Sequence, residues 1–170
     1  SGNYALSRSI NASGANFVPI CNLSYPFSGH FDGNNYSISH LNISKSHYAG
    51  IFGVVSGTST APNIIENLYL DYINVSGNNY VGLLAAHAEY TIFQSLVFGY
   101  HNKVLCSSFC GSTTGVGIKI LISDVNTSFL FSKYDNNTGT LAGALVKSDI
   151  VDSTCSIDSQ GCVGTNYMED

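Results

Sequence analysis

Eleven acidic residues, five histidines and five cysteines are the side chains of this chain best suited to chemistry. A zinc peptidase needs H-E-x-x-H on one helical turn, and His87-Ala-Glu89-Tyr90 does not supply it. His30, His40 and His47 lie close in sequence, as a shared metal would require. No thiolate or carboxylate pattern completes that set, so they are expected as surface or turn histidines. A polysaccharide lyase or hydrolase needs clustered carboxylates with a cation beside them. The sole arginine is Arg8, and the lysines are scattered. Asp149, Asp152 and Asp158 form the densest acidic group; a solvated turn is expected there rather than a weak calcium site. Asp32, in Phe31-Asp-Gly33, reads as a carboxylate that bonds turn backbone. No G-x-S-x-G, P-loop or G-x-G-x-x-G is present. The expectation is therefore no catalytic residues, no metal and no cofactor.

The cysteines and asparagines offer covalent chemistry instead. Cys106 and Cys110 are close in sequence, as are Cys155 and Cys162, and each pair suits a turn-closing disulfide. Cys21 would then be free. No C-x-x-C spacing exists. Such pairing points to an oxidising compartment; buried reduced cysteines in a cytosolic protein are the alternative. N-x-S/T sequons at Asn11, Asn22, Asn35, Asn42, Asn74, Asn126 and Asn136 are candidate glycosylation sites. Asn42 and Asn74 each sit between two apolar residues, so they point outward when those neighbours point in. The two should share one outer face, as an amide ladder or as neighbouring glycan sites.

The elements that position these groups follow from composition and spacing. The chain has 170 residues, 44% hydrophobic and only 10% charged. That length fits a single domain over 1–170, too apolar to be disordered. The net charge is -5, and the six Lys and Arg do not cluster, which argues against nucleic-acid binding. No apolar run approaches the ~20 residues of a membrane helix. The abrupt opening at Ser1-Gly2 reads as a processed or trimmed start. Seventeen glycines are spread along the chain and helix formers are few, which favours strands. Tyr36/Ile38, Leu41/Ile43, Leu68/Leu70, Ile73/Val75 and Ile118/Ile120/Ile122 alternate as short strands of period 2.

Four segments repeat: Tyr48-Ala-Gly-Ile-Phe-Gly53, Tyr80-Val-Gly-Leu-Leu-Ala85, Thr114-Gly-Val-Gly-Ile118 and Thr140-Leu-Ala-Gly-Ala144. Aligning Gly50, Gly82, Gly117 and Gly143 gives a period near 30 residues, the length of one β-solenoid coil. A second set, Ile64–Leu70, Ile92–Phe98 and Asp149–Cys155, follows three of the blocks. Stacked coils bury inward side chains as ladders. Leu68, Ile73, Val75, Leu83 and Leu96 are predicted inside. Gly50, Ala85, Ala86, Ala142 and Gly143 are predicted at corners where backbones approach closely. A β-sandwich is the alternative.

The runs Phe17-Val-Pro-Ile20, Phe27-Ser-Gly-His-Phe-Asp-Gly33, Tyr36-Ser-Ile38, Leu41-Asn-Ile43, Tyr48-Ala-Gly-Ile-Phe-Gly53 and Glu66-Asn-Leu68 together resemble the GLUG-repeat proteins. These comprise bacterial surface adhesins and the non-catalytic repeat region of IgA-peptidase-like proteins. The likeness covers about residues 4–84 and fades after Leu96. It departs at Cys21, where the family has glycine, and in Val81-Gly-Leu-Leu84. The resemblance implies an all-β, right-handed parallel β-helix of five or six coils and an extracellular or cell-surface scaffold without enzyme activity. The resulting expectation is a non-enzymatic extracellular scaffold or adhesion module, of a kind that can serve as a subunit of a larger fibre or surface array. Its partners would be other protein subunits or surface glycans, and open coil edges would allow homo-oligomers. A secreted effector that binds a host protein and a carbohydrate-active β-helix are the alternatives.

Overall fold

The period-2 segments form strands that pair only with strands of neighbouring coils, and every pairing is parallel. The computed structural model describes residues 2–127, 142–154 and 162–167. Among these there is no helix, and the chain winds as a β-solenoid of about five turns. The first coil holds β1 (Gly2–Ala5) and β2 (Ile10–Asn11). The second holds β3 (Gly29–Asp32), β4 (Ser37–Ser44), β5 (His47–Ala49) and β6 (Phe52–Ser56). The third holds β7 (Asn63–Ser76), β8 (Asn79–Gly82) and β9 (Ala85–Glu89). The fourth holds β10 (Thr91–Phe98), β11 (Lys103–Leu105), β12 (Ser108–Gly111) and β13 (Thr114–Ile118). The fifth holds β14 (Leu121–Thr127) and β15 (Ala142–Val146), and β16 (Asp149–Val151) and β17 (Val163–Tyr167) continue the stack.

Three sheets run along the axis. The largest follows β1-β3-β7-β10-β14-β16, with β4 and β11 beside β7 and β2 beside β4; the others follow β12-β8-β5 and β17-β15-β13-β9-β6. Hydrogen bonds between adjacent coils link side chains 28 to 36 residues apart in sequence. Stacking places like residues on like: Ile65 on Phe93 on Ile122, and Leu41 on Ile73. The predicted core residues Leu68, Ile73, Val75, Leu83 and Leu96 are all buried. Each such aliphatic side chain removed from water contributes about 1.5–3 kcal/mol.

The corners are single residues in the left-handed region. Asn67, Ser95, Asp124 and Asp152 form one such row, Tyr48, Tyr80 and Phe109 a second, and Tyr90, Lys119 and Lys147 a third. A non-glycine residue held there costs roughly 1–2 kcal/mol. The aromatic row offsets that cost by stacking: Tyr48 on Tyr80 at 5.0 Å and Tyr80 on Phe109 at 5.4 Å between ring centres. Cys21 has φ of 64°, the conformation glycine adopts without penalty.

Three sequence expectations are corrected. Gly111, not Gly117, stacks on Gly82, so Phe109-Cys-Gly111 is the fourth-coil counterpart of Tyr80-Val-Gly82. The stack of Tyr80 on Phe109 marks the same register. The alternation Ile118/Ile120/Ile122 is not one strand, because Lys119 turns at φ 52° between β13 and β14. Ala85, Ala86 and Ala142 lie within β9 and β15 rather than at corners; all three are fully buried, and Ala85 and Ala142 join the core.

In the first coil the inward residues Leu6, Ala12 and Phe17 are only partly buried. Tyr4, Ile10, Val18, Leu23 and Tyr25 are exposed, and among the described residues β1 pairs with β3 alone.

Candidate functional site

The outer face of β4, β7 and β11 concentrates the side chains best suited to contact a ligand. Asn42, Asn74 and Lys103 occupy one register row, one per coil, and all three are exposed. Asn74 donates from Nδ2 to Oδ1 of Asn42 at 2.8 Å, on the shared outer face that their flanking apolar residues predict and in the amide-ladder form of the two arrangements expected there. Beside it runs a row of rings. His40 and Tyr72, both at left-handed corners, stack with centres 4.7 Å apart, and Tyr72 stacks on His101 at 4.1 Å. Tyr100 closes the row, tilted 39° against His101. Tyr100, Tyr72, His40, Asn42, Asn74 and Lys103 border a groove of about 450 Å³.

Asp71 holds this row from behind. Its carboxylate is buried, and four donors meet it. They are the backbone N–H of Tyr72 at 3.0 Å, the backbone N–H of His101 at 3.0 Å, His101 Nδ1 at 3.0 Å and the Tyr69 hydroxyl at 3.3 Å. Burial opposes the charge, but the bonds from His101 and the two backbone N–H groups outweigh it and hold the carboxyl below its ordinary range. The same charge, added to burial, pushes the Tyr69 phenol up. Gly99 makes room for this, since a methyl there would lie 2.5 Å from the Asp71 carboxyl carbon. Asn102 completes the support: its buried amide donates to the carbonyls of Leu70 and Gly99 and accepts from the N–H of Ile73.

Asp71, His101 and Tyr72 line up as carboxylate, imidazole and phenol, the file that activates a nucleophile. The ring geometry speaks against that chemistry here. The Tyr72 hydroxyl is 3.2 Å from His101 Nε2, but the two rings are stacked within 12°. The hydroxyl therefore sits over the imidazole face, away from the in-plane lone pair that would take its proton. The arrangement is suited to holding rings rather than to moving protons.

A second polar cluster lies on β3 and β7. Ligand atoms of His30, Asp32 and Glu66 fall within 4.8 Å of one another. His30 Nε2 meets Glu66 Oε1 at 2.6 Å, and Gln94 bonds the other Glu66 oxygen. Asp32 accepts from the Asn34 N–H at 2.7 Å and from Asn67 Nδ2 at 3.0 Å. Those two bonds, against a smaller opposing effect of burial, hold its carboxyl below the ordinary range. Asp32 thus bonds turn backbone as its sequence context predicts. Each carboxylate has its own partners, Glu66 in His30 and Gln94, and Asp32 in Asn34 and Asn67. His40 lies in the ring row and His47 is exposed on β5, so neither joins His30. The link from His30 to Glu66 spans 36 residues, and only the coil register reveals it.

Cys106 and Cys110 form a disulfide with Cα atoms 6.4 Å apart, and Cys21 is free. Cys162 is disulfide-bonded, while Cys155 lies outside the described residues. Asp149 and Asp152 are exposed, and Asp158 lies outside the described residues. Asn11, Asn22, Asn35, Asn42, Asn74 and Asn126 are all exposed; Asn136 lies outside the described residues. Among the described residues no helix is long and apolar enough to cross a membrane.

No protein-family model and no solved structure matches the chain. Halomucin from Haloquadratum walsbyi is 38% identical to it over 98 residues. That match takes in 52% of this chain and 1% of halomucin, so the chain spans a very small part of that relative.

Proposed function

We propose that the chain is a non-enzymatic extracellular scaffold or adhesion module, a stretch of GLUG-type surface solenoid whose outer ladders contact glycans. The observation that carries this reading is the repetition of one chemistry from coil to coil on a single exposed face. Ring stacks on ring through His40, Tyr72 and His101, and amide bonds amide through Asn74 and Asn42. Such a face presents evenly spaced donors, acceptors and ring edges to an extended partner. The likeness to halomucin, the Cys106–Cys110 disulfide and the exposed sequon asparagines outside the groove, Asn11, Asn22, Asn35 and Asn126, support an extracellular, surface setting. Beads coated with the chain test it: they should be retained on a mucin-coated surface under flow, and fewer when Tyr72 and Tyr100 are both replaced by Ala. Beads that pass over that surface like uncoated ones overturn the reading.

A further inference from the structure

We infer that the groove between the ring row and the amide row binds an acidic oligosaccharide, a chain of uronate-type sugars lying along the solenoid axis. This rests on the surface-contact reading above and names the ligand class. Three features of the groove converge on it. The first is an apolar platform. Tyr100 is 70% exposed, and its tilt against His101 leaves a ring face free for the C–H face of a pyranose. The second is paired amides. After the one bond between Asn74 and Asn42, each amide retains donor and acceptor capacity, which matches the hydroxyls of a sugar. The third is charge. Lys103 continues the amide row one coil on, and no described carboxylate pairs with it. Asp71, the carboxylate behind the ring row, is buried and already occupied by its four donors.

Among the described residues the groove therefore offers a cation without a competing anion, on a chain whose net charge is -5. Elsewhere that net charge disfavours a polyanion, so a sugar acid held here is held locally. Coil spacing adds register: the rise of about 4.8 Å per coil is close to one pyranose step. Successive sugars can then meet Asn42, Asn74 and Lys103 in turn. A neutral chain would use the ring and the amides and leave Lys103 unmatched.

Calorimetric titration of the whole chain with a β-1,4-mannuronate hexasaccharide and with neutral β-1,4-mannohexaose tests the inference. The acidic sugar should bind roughly tenfold more tightly at low salt, a step of about 1.4 kcal/mol. That advantage should shrink at high salt. Lys103→Gln should abolish the difference, while Tyr100→Ala should weaken both sugars. Both side chains are exposed, so an unchanged melting midpoint checks that the variants fold. Equal affinity for the two sugars, or an acidic preference that survives Lys103→Gln, overturns the inference. Bead retention measured in parallel separates the two levels: retention without binding of the acidic sugar removes the ligand class alone, whereas loss of both removes the surface-contact reading as well.

Discussion

Replacing Asp71 by Ala should cost this solenoid about 2–4 kcal/mol, and the structure shows where that figure comes from. The carboxylate accepts two backbone N–H groups, from Tyr72 and His101, together with His101 Nδ1 and the Tyr69 hydroxyl. Tyr69, Tyr72 and His101 are partly exposed, so the two side-chain donors find water when the carboxylate is lost. The two backbone donors sit against the buried carboxyl and do so poorly. Each unsatisfied buried donor costs about 1–3 kcal/mol, and partial rehydration brings the pair to the stated range. The charge adds a pH signature. The folded pKa of Asp71 lies below its ordinary value, so its contribution is complete above the unfolded pKa of about 3.9. It is lost as pH falls through the folded value. Asp71→Asn keeps one acceptor oxygen and removes the titration. Urea unfolding at neutral pH and at a series of acid pH values checks both statements. An Ala variant within ~0.5 kcal/mol of the parent, a shift typical of an inert surface site, would refute the magnitude. An Asn variant that loses stability in acid as steeply as the parent would refute the electrostatic part.

Thr113 has a buried hydroxyl without a partner and follows the register of Leu84; Thr113→Val should raise stability by about 1 kcal/mol, read as a higher urea midpoint. Opening the Cys106–Cys110 disulfide, which closes a loop with a sequence separation of 4, should cost roughly 2 kcal/mol by loop entropy. The difference between the parent and the Cys106→Ser/Cys110→Ser variant in chemical denaturation measures it. The first coil, with Tyr4 and Ile10 exposed and β1 paired with β3 alone among the described residues, should drive association of this 170-residue chain at high concentration. Sedimentation should show larger species that Tyr4→Pro or Ile10→Pro disperses, and a strictly monomeric parent would contradict this.

What the sequence determined by itself is local. Period-2 spacing sent Leu68, Ile73 and Val75 inward and Asn42 and Asn74 outward, because a strand's alternation is fixed within a few residues. Asp32 is read correctly as a turn residue for the same reason, since its backbone partner Asn34 is two residues away. The corners left a fainter mark. Inward residues step by two along a strand but by three across a left-handed corner, as from Leu70 to Ile73 around Tyr72 and from Leu68 back to Ile65 around Asn67. That broken alternation can be seen in the sequence, yet nothing local says that tyrosine will hold the left-handed conformation. The stacked ring of the next coil makes it affordable, and that ring arrives only with the register. The same holds for His30 with Glu66 and for Asp71 with His101, 36 and 30 residues apart. Glycine spacing alone aligned Gly117 with Gly82, whereas parallel pairing and the Tyr80–Phe109 stack select Gly111. Coil lengths vary, so similarity along the chain cannot fix which residues stack. Tertiary structure decides it, because a one-residue slip would turn a whole row of core side chains to solvent.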